Sequence, residues 1–129
     1  MKKDIENRED LYLFIDLFYQ NIRADKEIGI IFNQIIEDWP AHLQKITGFW
    51  ELHLWGTPAY AGNPIVVHNN VDKVMKHTIT SRDFGTWLFH WMHTLDTHFE
   101  GKNVAVLKFK ARKMQTMLFM NMMKNRHHD

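Results

Sequence analysis

Apolar residues recur at helical spacing along five stretches of the chain, and nowhere do they alternate with polar ones as in a half-buried strand. In residues 9–24, Leu11, Phe14, Ile15, Phe18 and Ile22 share one helical face. The segment "KEIGIIF" is broken at Gly29, leaving Phe32 at a corner where its ring can cover something. The second helix has clear signals at both ends: Asp38 as N-cap, Pro40 in the first turn where its missing N–H costs nothing, and Gly56 as terminator. Trp39, Leu43, Ile46, Trp50 and Leu54 form its stripe.

In "YAGNPIVVH", Asn63 can cap and Pro64 can begin a short third helix with Val67, His68 and Val71 facing inward. Asn69 and Asn70 at its middle make it the weakest element, ordered by packing or by a ligand. A polar loop then leads to the clearest stripe, Phe84, Trp87, Leu88, Trp91, Met92, Leu95 and Phe99. After "EGKN", Val104, Leu107, Ala111, Met114 and Leu118 repeat the pattern. The expected fold is all-α. No linker or internal repeat divides residues 1–129, so they form a single domain, with 1–8 as an N-terminal extension and 125–129, His127 and His128 included, as a disordered tail.

Charge adds little. Sixteen Lys and Arg nearly balance fifteen Asp and Glu, so no overall field favours nucleic acid or an anionic membrane. There is no cysteine, which removes disulfides, thiolate metal sites and cysteine nucleophiles. The charged start "MKKDIENRED" lacks the apolar run of a signal peptide, and no stretch reaches the length of a membrane span; the expected compartment is the cytoplasm.

Nine histidines and an aromatic content of 13% do change the picture. A flat ligand such as haem needs an apolar slot, one neutral imidazole, and control of what approaches from the other side. His42 borders the stripe of Trp39, Leu43 and Trp50, and His68 the stripe of its own helix. Tyr19 lies beside Ile15, Phe18 and Ile22, and Trp87 is central on the fourth long stripe. Each has an ordinary reading: a lone histidine is usually a core residue bonded to a carbonyl, and a bordering Tyr or Trp usually makes one backbone hydrogen bond. His90 and His93 could ligate a metal from adjacent turns, but read more simply as a polar face opposite Trp87 and Trp91. His53 and His77 read as surface or boundary residues, and "MQTMLFMNMM" as packing of an end helix rather than an axial methionine.

Five ordered blocks, "LFYQNIRADKEIGIIF", "DWPAHLQKITGFWELHLWG", "YAGNPIVVH", "FGTWLFHW" and "HFEGKNVAVLKFKARKM", together resemble the group III truncated haemoglobins of bacteria. The resemblance implies a shortened globin in which two helix pairs form a two-over-two sandwich around haem b. It implies His68 as the proximal iron ligand, Tyr19, His42 and Trp87 as distal residues, and Phe32 packed on the haem near the corner. Ile46, Trp50 and Val67 would line the cofactor, while Lys45, Tyr60, Lys73 and Arg82 are candidate propionate contacts. The departures lie in the corner "IGIIF", in the long loop "NNVDKVMKHTITSRD", and at Asp83–Phe84, where the family often has His-Phe.

The implied function is binding of O2 and related diatomic ligands through a five-coordinate ferrous iron, with slow release favouring NO dioxygenation or peroxide chemistry over bulk delivery. No Gly-rich nucleotide fingerprint is present, so electrons would come from a separate reductase. The rival readings are a non-catalytic store or sensor of O2 or NO, and a helical module without haem. Whether the chain is an enzyme is left open by its residues.

Overall fold

The computed structural model describes residues 1–127, which hold six helices and no strand. Helix α1 (Arg8–Ala24) starts where Asn7 accepts the Asp10 N–H at 2.9 Å, with Glu9 and Asp10 suiting the positive end of the helix dipole. Helix α3 (Trp39–Trp55) begins at its Asp38 cap and ends on Gly56, whose φ of 73° is the left-handed conformation that glycine adopts without strain. Helix α4 (Pro64–Val74) begins at Asn63, whose side chain accepts the N–H groups of Ile65 and Val66. Thr80 and Asp83 form a reciprocal capping box at the start of α5 (Ser81–His98).

Three expectations change. Gly29 does not break the chain: it opens a short helix, α2 (Gly29–Ile35), which contains Phe32. Its missing side chain is a packing requirement, because a Cβ there would lie 2.7 Å from the Arg23 carbonyl oxygen. The last helix, α6 (Lys102–Arg126), runs well past the stripe ending at Leu118. Asn125 and Arg126 therefore belong to a helix and not to a disordered tail, since Arg126 is tied to Asp72 at 2.6 and 2.9 Å and to the Ile79 carbonyl at 2.6 Å. His127 follows as a turn, and His128 lies outside the described residues.

The N-terminal extension is docked on the fold. The Glu100 N–H reaches the Lys3 carbonyl at 2.9 Å, Ile5 is fully buried, and Asp4 accepts the N–H groups of Asn103 and Val104. Asp4 thereby caps α6 from a distance, where Gly101 offers no side chain.

Helices α1 and α3 form one layer and α5 and α6 the other, with α1 also packed on α5. Their shared core is aromatic. Trp91, fully buried, has Phe14 at 4.6 Å edge-on, Trp50 at 4.6 Å, and Trp87 stacked at 5.1 Å. Helix α4 is placed differently: its main partner is α6. A slot therefore remains between α4 and the helices of the opposite layer.

Candidate haem cleft

That slot is a cavity of about 260 Å³, walled mainly by apolar side chains from all six helices. Tyr19, Phe32, His42, Lys45 and Ile46 line it from α1, α2 and α3, with Trp50 further along α3. Tyr60 approaches from the loop before α4, Val67 and His68 from α4 itself, and Trp87 from α5. The fold thus gathers all ten at one place. Lys73 and Arg82 do not line it; Arg82 instead makes a bidentate pair with Glu27 at 2.7 and 3.1 Å.

On α4, the imidazole of His68 bonds through Nδ1 to the Pro64 carbonyl oxygen at 2.7 Å. A carbonyl can only accept, so Nδ1 carries the proton and Nε2 keeps its lone pair. Burial holds the pKa of His68 below the usual histidine value, which favours the neutral ring. The carbonyl bond expected of a structural histidine is present, yet it occupies one nitrogen and leaves the other available.

His42 is also held neutral: burial, with a smaller contribution from the nearby Lys45 charge, lowers its pKa to about 4. Its ring lies 5.1 Å from that of Tyr19 and 5.6 Å from that of Trp39, and Nε2 is buried with no hydrogen-bond partner. Burial pushes the Tyr19 phenol upward, so it stays protonated at any physiological pH. Trp87 contrasts with its neighbour Trp91, whose indole N–H is spent on the Leu107 carbonyl at 3.1 Å. Neither the Tyr19 hydroxyl nor the Trp87 N–H has a partner within the described protein. Buried polar groups are normally satisfied, so the partnerless His42 Nε2 on this cavity, beside the unspent Tyr19 and Trp87 donors, leaves room for a polar ligand.

Part of the wall is not flagged by the sequence. Ile31 and Ile35 come from α2, and Met114, Gln115, Leu118 and Met122 from α6. Gln115 Oε1 is buried without a partner. At the residue level these positions read as ordinary core, because periodicity marks an inward face without saying whether it meets protein or a ligand. The methionine run divides likewise: Met114 and Met122 turn to the cavity, whereas Met117 and Met120 are exposed.

The other histidines lie elsewhere. His90 Nε2 donates to Asp25 at 2.7 Å, His93 stacks on Phe89, and His53 sits 4.4 Å from the Phe49 ring. Among the described residues, no group of three or more His, Asp or Glu is gathered as a metal site.

Two layers of helices around an apolar cleft, with one unprotonated imidazole nitrogen available inside it, define a globin-type protein. No family model matches the chain. A group 3 truncated hemoglobin of Campylobacter jejuni subsp. jejuni serotype O:2 is 31% identical over 127 residues, covering 92% of this chain and 96% of the relative. The crystal structure of a group III truncated hemoglobin from Campylobacter jejuni superposes with a TM-score of 0.80 at 27% identity, over 92% of each chain. The chain belongs to the group 3 truncated hemoglobins.

Membership implies haem-based ligand binding, and the residues present fit that group. Haem is mostly apolar, as the lining of the cleft is. It needs a neutral imidazole whose second nitrogen is held, and His68 meets both conditions.

Proposed function

We propose that this protein binds haem b through His68 Nε2 and handles O2, NO or a related diatomic ligand beside Tyr19, His42 and Trp87. When bound, haem supplies an iron with one position for the protein imidazole and one for the gas. The observation that carries the reading is the set of unspent polar atoms on a single apolar cleft: Nε2 of His68 and of His42, the Tyr19 hydroxyl and the Trp87 N–H.

Each residue has a separate task. The Nδ1–H bond to Pro64 sets the tautomer and orientation of His68, so its lone pair needs no rearrangement before ligation. Tyr19 and Trp87 hold protons toward a partly negative ligand, and indole can only donate. His42, neutral at pH 7, can accept the Tyr19 proton or donate its own N–H, which lets it orient the phenol. Phe32, Ile46, Trp50 and Val67 exclude water from the same space. Lys45 and Tyr60 are the cleft residues chemically suited to haem carboxylates.

Each donor is worth about 1 kcal/mol, or about fivefold in release rate, so Tyr19 and Trp87 together slow ligand release roughly thirtyfold, which favours chemistry on the held ligand over bulk delivery. We therefore assign the protein to NO dioxygenation or peroxide-type reactivity, re-reduced by a separate donor, in the cytoplasm. The test mixes the oxygenated ferrous protein with NO in the presence of a reductant. Nitrate formed over many turnovers is the expected result. A stable nitrosyl without turnover refutes the enzymatic part and leaves a store or sensor.

A further inference from the structure

The overall charge of +1 conceals a local imbalance. Helix α6 carries seven Lys and Arg and no carboxylate. Lys108 pairs with Asp96, Arg126 pairs with Asp72, and Lys110 donates to the His53 carbonyl. Arg112, Lys113 and Lys124 make no ion pair among the described residues. They share a groove with Phe109, Met117 and Met120, which are 57%, 40% and 65% exposed. The spacing 109, 113, 117, 120, 124 places them on one helical face. Lys113 Nζ lies 5.2 Å over the Phe109 ring.

We propose that this face docks a one-electron carrier protein whose contact surface is acidic around an apolar centre. Three arguments select that occupant. A basic rim without carboxylates complements acidic partners and repels a second copy of itself. Exposed methionines repack against varied surfaces, and so small a patch suits a transient electron-transfer encounter better than a permanent interface. Three cations with no tryptophan or tyrosine beside them hold a membrane or a nucleic acid only weakly.

The opposite face of the same helix supplies Met114, Leu118 and Met122 to the cleft. A carrier seated outside is thus separated from the cavity by one helix diameter, about 10–12 Å. This inference rests on the haem reading above. Haem held by His68 would take one electron from the reduced flavin or iron–sulfur group of a carrier seated on this face, the carrier being oxidised by one electron and the iron reduced by one, with no bond broken and no proton required.

The experiment titrates the isotope-labelled, haem-loaded protein with a flavodoxin and with a plant-type ferredoxin, both acidic carriers, and follows backbone amide shifts. Shifts confined to the outer face of residues 109–124 are expected, with affinity falling about tenfold or more in high salt. The triple variant Arg112→Glu, Lys113→Glu, Lys124→Glu should abolish them. It should also slow reduction of the iron by either carrier at least tenfold while leaving reduction by dithionite unchanged. The inference is overturned if neither carrier shifts this face, if the shifts lie elsewhere, or if only anionic phosphatidylserine vesicles or duplex DNA produce them. Failure to take up haem refutes the functional reading separately, because the amide shifts are readable without iron.

Discussion

Replacing Arg126 with methionine removes the cation from a carboxylate that has no access to water. The Asp72 side chain is 1% exposed, accepts two hydrogen bonds from Arg126 at 2.6 and 2.9 Å, and has His77 Nε2 only at 3.9 Å. Arg126 itself is 21% exposed, so water can partly enter where it stood; the expected cost is near the lower end of the range for breaking a buried pair, about 3 kcal/mol. For a chain of this length that lowers Tm by roughly 10 °C. The loss is local first, because the guanidinium joins the end of α6 to α4 and to the Ile79 carbonyl, and α4 carries His68. Hydrogen exchange in α4 should rise more than in α1 or α5. The double variant Asp72→Leu, Arg126→Met should recover most of the stability, because no unpaired charge is then left inside. Thermal melts of the three proteins, with haem absent, provide the assay. An unchanged Tm in Arg126→Met, or a double variant less stable than the single one, would refute the argument.

Tyr19→Phe and Trp87→Phe should each retain haem uptake and speed release of O2 about fivefold, measured by stopped-flow, if each donor contributes about 1 kcal/mol. Stability should fall as pH drops from about 6.5 to about 4. His42 is depressed to about 4 in the folded protein, so in that window the unfolded chain binds the extra proton; His42→Leu should flatten the slope seen in denaturant titrations. Asp4→Ala should cost about 1 kcal/mol by uncapping α6, and should free the N-terminal segment to exchange before the rest of the protein.

Much of the fold could be read where local chemistry decides it. Asp38, Pro40 and Gly56 delimit α3, and Asn63 with Pro64 starts α4, because caps, proline and left-handed glycine act within a few residues of themselves. The features that could not be read are set by distant partners. Gly29 looks like a breaker, yet it serves the close approach of α2 to the end of α1. Asp72 sits between Val71 and Lys73 as an unremarkable polar residue, and only the return of α6, 54 positions later, buries it against Arg126. The same holds for the cleft. Taken singly, Tyr19, His42, His68 and Trp87 have ordinary readings, and the resemblance of the ordered blocks is what marks them together, whereas Ile31, Ile35, Met114 and Gln115 carry no such mark.

The central claim is that one imidazole nitrogen, left free by the bond between His68 and the Pro64 carbonyl, holds the iron. Resonance Raman spectra of the ferrous, haem-loaded protein without gas measure this directly through the low-frequency iron–imidazole stretch. The account predicts that the band is present in the unaltered chain, disappears in His68→Gly, and returns when free imidazole is added. Persistence of the band in His68→Gly without added imidazole would contradict it, and would move the iron to another histidine.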